Sequence, residues 1–317
     1  MTAADFAAAD LDRAAAAIAA ARRPFLTGLA ATDAATVVAA CDLAEAVGAA
    51  VDPGSPEASR IIGPLVARIG SVTAAPEELR DRADLVLLWF CDPEAASPGF
   101  LGRFVTPPVG TSRRRTIAVG PHDVPVADTA HRHVLAATDT AIDCARLVEA
   151  MARAIVIDEA PGDPAPLRVA RTIADAVASA STIALVTDWR HDGVGLAAWS
   201  TASLVRVISH RKPAFEIPLG ERNDAAIDVC AWRFGAAGAI ERANRSGGRF
   251  LAAEADAVRL IDRREVDCAM VVGAATPEVE AALARAGGDV AVVRLPADAE
   301  ALRRLADRMG GGKGSVA

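Results

Sequence analysis

The sequence contains no tyrosine, and aromatic residues occupy only 4% of its 317 positions. An excess of basic charge is also missing, because 41 acidic side chains outnumber 34 lysines and arginines and leave a formal net charge of -7. Nucleic-acid binding requires a basic patch, so nucleic acid is not expected as the main partner. No apolar stretch reaches the roughly 20 residues of a membrane-spanning helix, and the first residues lack a signal-peptide pattern. We therefore expect no membrane partner.

Cysteine is scarce and scattered, which limits the covalent and metal chemistry expected of the chain. The five cysteines are odd in number and form no C-x-x-C pair: Cys41, Cys91, Cys144, Cys230 and Cys268. Disulfide frameworks and structural metal sites show regular cysteine spacing, so these thiols are expected to be free and mostly buried. A reducing compartment suits them, and we predict a cytoplasmic protein.

Apolar residues make up 52% of the chain, and their order predicts an α/β fold. Leu85 to Phe90 is apolar at every position, as in a strand buried on both faces of a parallel sheet. Such runs alternate with helical patterns. The predicted strands are 25–28, 49–51, 85–90, 116–119, 133–135, 182–187, 215–217, 268–272 and 290–295. The predicted helices are 10–22, about 33–47 with Thr32 or Asp33 as N-cap and Gly48 as its end, 76–84, 139–155, 167–180, 196–209, 254–264, 277–286 and 298–309.

Two segments are predicted to lack regular structure. Residues 223–250 are rich in glycine, and Trp232 and Phe234 are expected to anchor this segment to the core. The basic run Arg113–Arg115 is interpreted as a solvated loop before a strand, in preference to an anion site.

The strongest candidate site follows the strand at Leu85–Phe90. Open α/β sheets bind their ligands at the carboxyl ends of the strands, and Cys91 and Asp92 occupy that position. A thiolate at Cys91 could act as a nucleophile or a metal ligand. The alternative is a half-buried thiol and a carboxylate that caps a turn before Pro93.

Two further groups of residues are candidates for chemistry. Arg190 and His191 lie in the turn 189–195, which follows a predicted strand and could bind an anion or transfer protons, or could serve only as a turn. His131 and His133 have the H-x-H spacing of some metal sites, although no cluster of carboxylates accompanies them.

Four stretches spread over most of the chain match the pattern of a known family. They are Arg23–Ala30, Gly48–Asp52 with Gly63-Pro64 downstream, Arg82–Val86 with Trp89 and Asp92-Pro93, and Arg264–Ala269. On these residues the chain resembles the B-type subunit of formylmethanofuran dehydrogenase, within the molybdopterin oxidoreductase superfamily. The resemblance is closer to the B-type subunit of the bacterial formyltransferase/hydrolase complex.

The resemblance implies two Rossmann-like α/β domains with mostly parallel sheets, as in molybdopterin oxidoreductases. One domain would join residues 1–57 to 220–317, and residues 58–219 would form a second, inserted domain. Composition alone would instead divide the chain near the proline-rich segment 161–166.

The chain departs from the dehydrogenase pattern at the residues that carry redox chemistry. Family members have a cysteine-rich segment before the first strand, whereas no cysteine precedes Cys41 here. They also place a metal-binding cysteine or selenocysteine and a histidine just before Gly-Pro, where this chain has Ile61 and Ile62. Hydrocarbon side chains cannot ligate molybdenum or move protons. We therefore expect no cofactor and a vestigial cleft, with Cys91, Asp92, Arg190 and His191 as weak pocket candidates.

The resemblance implies a non-catalytic subunit of a formyltransferase/hydrolase complex. By resemblance, that complex moves a formyl group from formyl-tetrahydromethanopterin to a methanofuran-like carrier and releases formate. Its partners would be subunits of the A, C and D types. The alternative is an active formylmethanofuran dehydrogenase subunit of the molybdopterin type, or another cofactor-binding oxidoreductase that uses Cys91. A third possibility is a binding subunit whose pocket, facing Arg190 and His191, holds a carrier tail.

Overall fold

The structure is a computed structural model. It describes residues 8–30, 32–54, 65, 68–106, 114–124, 126, 130–153, 165–188, 196–219, 225–241, 251 and 254–311. The chain divides into two compact units. Met1–Arg68 and Arg222–Ala317 form the terminal unit, and Ile69–Glu221 form the inserted unit. The expected boundaries at 57/58 and 219/220 stay a prediction, since residues 55–60 and 220–224 lie outside the described part.

The terminal unit contains a parallel four-stranded sheet in the order β2-β1-β8-β9. Its strands are β1 (Pro24–Thr27), β2 (Ala50–Val51), β8 (Cys268–Val272) and β9 (Ala291–Leu295). Its helices are α1 (Ala8–Ala20), α2 (Ala34–Val47), α8 (Ala225–Phe234), α9 (Ala257–Asp262), α10 (Pro277–Ala286) and α11 (Ala299–Gly311). Apolar residues of α1, α2, α8 and α11 pack in one core with alternate residues of the strands.

The inserted unit contains a parallel five-stranded sheet in the order β5-β4-β3-β6-β7. Its strands are β3 (Leu85–Trp89), β4 (Arg115–Gly120), β5 (Arg132–Leu135), β6 (Ile183–Thr187) and β7 (Ala214–Pro218). Its helices are α3 (Pro76–Arg82), α4 (Pro93–Ala96), α5 (Ala141–Ala152), α6 (Ala165–Ser179) and α7 (Leu196–Ser209), with a π-helical turn at Leu101–Val105. The predicted α/β fold with mostly parallel sheets is confirmed.

Local sequence signals explain the ends of α2. The Asp33 carboxylate accepts a hydrogen bond from the Thr36 backbone N–H at 3.0 Å, so Asp33 is the N-cap of the two residues predicted. Gly48 adopts a left-handed conformation with φ of 67°, and its N–H bonds to carbonyls of the last turn. Among the described residues, no helix has the length and apolar character needed to cross a bilayer.

The prediction of irregular structure over 223–250 is wrong for its first part, which forms α8. Ala226, Ile227, Cys230 and Phe234 recur every three or four residues and are buried on one face of the helix. Phe234 anchors the segment as expected, but Trp232 leaves 74% of its surface exposed. Because glycines follow this helix closely, the helical spacing of its apolar residues was not apparent from the sequence.

The interpretation of Arg113–Arg115 as a solvated loop is wrong for Arg114, which is 9% exposed. Its guanidinium donates to the carbonyl oxygens of Ala83 and Phe104 at 3.0 and 3.1 Å. Further acceptors are the carbonyls of Leu79, Arg80 and Val105. These carbonyls lie at the carboxyl end of α3 and in the π-helical turn. The Leu79 carbonyl also accepts from the Ala83 N–H at 3.2 Å, and the buried guanidinium gives all five carbonyls a charged donor. Arg113 lies outside the described residues.

Candidate functional site

The strand order of the inserted unit reverses between β3 and β6, which makes the carboxyl ends of these two strands the expected ligand-binding edge. The chain proceeds outward from β3 through β4 to β5, and then in the other direction from β6 to β7. Ligands of open α/β sheets bind where the order reverses in this way. Phe90, Cys91 and Asp92 follow β3 at this edge, and Asp188 follows β6.

Phe90 has an unusual backbone at the start of this edge. Its φ is 50°, in the left-handed region that residues with a side chain rarely adopt. The Phe90 N–H donates to the Val119 carbonyl at 2.7 Å, and its ring packs edge-on against Trp89 with centroids 5.2 Å apart. Such conformations cost about 1–3 kcal/mol and cluster at functional sites, so this edge is the best candidate in the inserted unit.

Cys91 does not have the environment of a reactive thiol. Its half-buried sulfur donates a hydrogen bond to the Val186 carbonyl at 3.2 Å. Burial, with a smaller contribution from the Asp188 carboxylate, raises the pKa of the thiol well above its ordinary value. A nucleophile or metal ligand must be a thiolate, and these surroundings keep the proton on sulfur.

The Asp92 carboxylate stabilises the backbone that follows β3. Its Oδ1 accepts from the backbone N–H groups of Glu94 and Ala95, at 3.0 and 3.3 Å, and so caps α4. The Glu94 carboxylate in turn accepts from the N–H groups of Gly99 and Leu101, each at 2.7 Å. Both carboxylates therefore order the loop after β3.

A buried polar pair joins the end of β6 to the middle of β7 and was not anticipated from the sequence. Thr187 Oγ1 donates to Glu216 Oε1 at 2.6 Å, and both residues are fully or almost fully buried. The signal available in the sequence was a carboxylate within the apolar strand Phe215–Ile217. Burial of a carboxyl group requires hydrogen-bonding partners, so a polar neighbour could have been expected.

The histidine pair does not converge on one point. His131 Nε2 lies 3.0 Å from Asp123 Oδ1, whereas His133 Nε2 lies 3.1 Å from the Gly120 carbonyl oxygen. Within the described part of the chain, no three His, Cys, Asp or Glu side chains are grouped as a metal site requires. Ile61, Ile62, Arg190 and His191 lie outside the described residues, so their expected positions stay predictions.

The terminal unit has a corresponding edge where its strand order reverses between β1 and β8. Gly28 follows β1 with φ of 82°, and a Cβ atom there would lie 2.6 Å from the Val272 carbonyl oxygen. Thr27 Oγ1 is buried at the same edge and has no hydrogen-bond partner among the described residues. The close backbone approach therefore requires glycine at position 28.

Asp52 lies at the end of β2 and is almost fully buried. Its carboxylate accepts from the Ala257 N–H at 2.6 Å and from the Gly54 N–H at 3.4 Å. Burial raises the pKa of Asp52 to about 7. A group this enclosed joins the loop after β2 to the start of α9, and it offers no surface to a substrate.

The described residues at these edges do not fit a molybdenum centre or an iron–sulfur cluster. Such groups require thiolates or comparable soft ligands arranged together. The Cys91 thiol at the edge of the inserted unit donates a hydrogen bond to a backbone carbonyl, and the carboxylates of Asp92 and Asp52 accept hydrogen bonds from backbone N–H groups.

Comparison with known proteins gives a result for the fold. No protein-family model matches the chain, and no curated protein matches it. A similar solved structure is the crystal structure of the formyltransferase/hydrolase complex (FhcABCD) from Methylorubrum extorquens in complex with methylofuran. The match has a TM-score of 0.65 and 22% identity, and it covers 97% of both chains. This protein therefore has, over nearly its whole length, the fold of a chain in that complex.

Proposed function

We propose that this protein is a non-catalytic, structural subunit of a formyltransferase/hydrolase complex. The observation that carries the proposal is the match in fold over 97% of both chains to a chain of such a complex. The four sequence stretches that resemble its B-type subunit support the same assignment.

The chemistry of the two sheet edges supports a structural role. Cys91 keeps its proton, Asp92 caps a helix, and Asp52 is enclosed by backbone. Formyl transfer and formyl hydrolysis move no electrons, so a complex of this kind has no need of a redox centre in this chain.

In the proposed complex, a formyl group passes from formyl-tetrahydromethanopterin to a methanofuran-like carrier, and formate is released. Subunits of the A and D types would supply hydrolysis and transfer, and an A-, C- and D-type assembly would surround this chain. Its contribution would be to hold those subunits together.

Exposed apolar side chains provide surface for such partners. Trp232 on α8 is 74% exposed, Leu135 on β5 is 70% exposed, and Leu196 at the start of α7 is 56% exposed. Arg233, next to Trp232, is bound by the carboxylates of Asp42 and Glu45, which fixes this part of α8 on α2. Exposed tryptophans on a rigid surface are common anchors of protein interfaces.

Co-purification of the tagged chain from its native cell tests membership of the complex. We expect the A-, C- and D-type subunits to be recovered together with formyltransferase and formate-releasing activity. Trp232→Glu should reduce recovery of at least one partner, whereas Trp232→Phe should retain it. A chain that purifies alone, or with unrelated partners, would refute the assignment.

A separate measurement tests the absence of catalysis. We expect Cys91→Ala to leave the activity of the assembled complex unchanged, as the control Cys144→Ala should. Stoichiometric molybdenum or bound pterin in the purified chain would instead support the oxidoreductase alternative. Selective loss of activity in Cys91→Ala would do the same.

A further inference from the structure

We propose that the inserted unit binds a compact, multivalent oxyanion in a cavity between the carboxyl ends of α5 and α7. This arginine cavity has a volume of about 470 Å³. Its lining consists of Ala152, Arg153, Ser203, Arg206, Val207, His210 and Arg211. The proposal rests on these side chains and is independent of the proposed function.

The first cation of the arginine cavity is held by a buried carboxylate. Glu149, whose side chain is only 5% exposed, binds Arg153 Nη2 through Oε1 at 2.7 Å. Its Oε2 accepts from the Ser203 hydroxyl at 3.0 Å. Glu149 therefore positions both a guanidinium and a hydroxyl of the lining, which reduces the entropy lost when a ligand binds.

The other two guanidiniums have no carboxylate partner among the described residues. Arg206 makes one long contact, 3.4 Å from Nη1 to the Ile69 carbonyl oxygen, and Arg211 has no side-chain partner within that part of the chain. The neighbouring Lys212 differs, because its ammonium donates to three carbonyls at the end of α6. Lys212 thus satisfies a helix end, whereas no carboxylate of the described residues engages Arg206 or Arg211.

The negative ends of the helices do not balance all of the positive charge of the three guanidiniums. The carboxyl ends of α5 and α7 each present about half a negative charge. Those two ends and the Glu149 carboxylate together balance about two of the three guanidiniums, so a net positive charge remains among the described residues of the lining. The cavity retains it in a chain whose formal net charge is -7.

The lining identifies the chemical class of the ligand. Guanidinium groups bind phosphate and carboxylate oxygens in pairs of parallel hydrogen bonds. Three of them around a hollow of this size suit a small anion with several oxygens, and the Ser203 hydroxyl can donate a further bond. A phosphate ester and a polycarboxylate share this chemistry, and the two probes below distinguish them.

Isothermal titration of the full-length chain with inorganic pyrophosphate and, separately, with citrate tests the proposal. We expect saturable binding of one molecule per chain for at least one probe. Tighter pyrophosphate binding would assign a phosphorylated ligand, and tighter citrate binding would assign a polycarboxylate. The double variant Arg206→Ala/Arg211→Ala should bind about 100-fold more weakly, because each guanidinium removed should weaken binding about tenfold.

Two further variants keep the test specific. Arg82→Ala/Arg103→Ala removes two exposed guanidiniums of the same unit outside the cavity and should bind as the wild type does. Arg206→Lys/Arg211→Lys keeps the positive charge but cannot form the paired hydrogen bonds of a guanidinium, and it should bind more weakly than the wild type. If the alanine variant does not fold, this lysine variant replaces it in the comparison. Absence of saturable binding to both probes, or equal losses in the cavity and control variants, would overturn the proposal.

Discussion

The Thr187 hydroxyl donates a hydrogen bond to Glu216 Oε1 across neighbouring strands, at 2.6 Å and without contact with solvent. The carboxyl group would lose this donor in Thr187→Val, which preserves the shape of the side chain. We expect that variant to lower the free energy of unfolding by about 1–3 kcal/mol. Thr187→Ser keeps the hydroxyl and should cost less. Urea denaturation followed by circular dichroism compares the two, and equal losses would contradict this role of the hydroxyl.

Arg114→Met should destabilise the chain by about 3 kcal/mol or more, because several buried carbonyls lose their donor together. Arg132→Met removes an exposed arginine from the same sheet and serves as the control, with an expected change within about 0.5 kcal/mol. Thermal and urea unfolding measure both. A small effect at Arg114 would mean that water replaces the guanidinium.

Asp52 should make stability depend on pH in a direction opposite to that of most carboxylates. Its pKa is near 7 in the folded chain and near the ordinary value of 3.8 when unfolded, so folding takes up a proton between these values. Its contribution to stability is therefore complete below about pH 4 and is lost as pH rises through about 7.

The Asp52→Asn variant tests this dependence. The amide oxygen can still accept from the Ala257 N–H, and the side chain no longer titrates. Relative to the wild type, the variant should gain stability as pH rises from about 4 to about 8. Asp307→Asn, at an exposed position on α11, is the matched control for the same change of side chain. Parallel curves for the wild type and Asp52→Asn would refute the assignment.

Gly28→Ala should destabilise the terminal unit by about 2 kcal/mol or more, through its positive φ and the close Val272 carbonyl. Gly288→Ala is a matched control, because a Cβ there meets nothing within 4 Å and its φ is not in the left-handed region. Differential scanning calorimetry of both variants measures the difference. A Gly28→Ala variant as stable as the control would contradict the close approach.

Local patterns in the sequence predicted most of the elements. The bounds of α7, α10 and β8 agree with the prediction because their apolar period and end signals lie within the segment itself. The buried environment of Arg114 could not be predicted in this way, since its acceptors lie up to 35 residues away. Three successive arginines are typical of an exposed loop, and only the fold brings the carbonyl groups of two helix ends to one of them.

At the candidate edge of the inserted unit, the position of the site was predictable from the local sequence, but the environment of its side chains was not. The apolar run at β3 and the rule for parallel sheets located the edge at Cys91 and Asp92. The acceptor that holds the Cys91 proton is Val186, 95 residues further along the chain. The sequence therefore indicated where chemistry could occur, whereas the burial that raises the pKa of the Cys91 thiol depends on the fold.

The terminal unit combines residues from the start and from the end of the sequence, so it can fold only late in synthesis. Apolar residues of α2 share a core with Leu302 and Leu305 of α11. During synthesis, α2 emerges first and cannot bury this face until α11 has been translated. The inserted unit, in contrast, is a continuous stretch that has left the exit tunnel by then. Nascent chains should therefore acquire protease resistance in the middle of the sequence before they acquire it at the start.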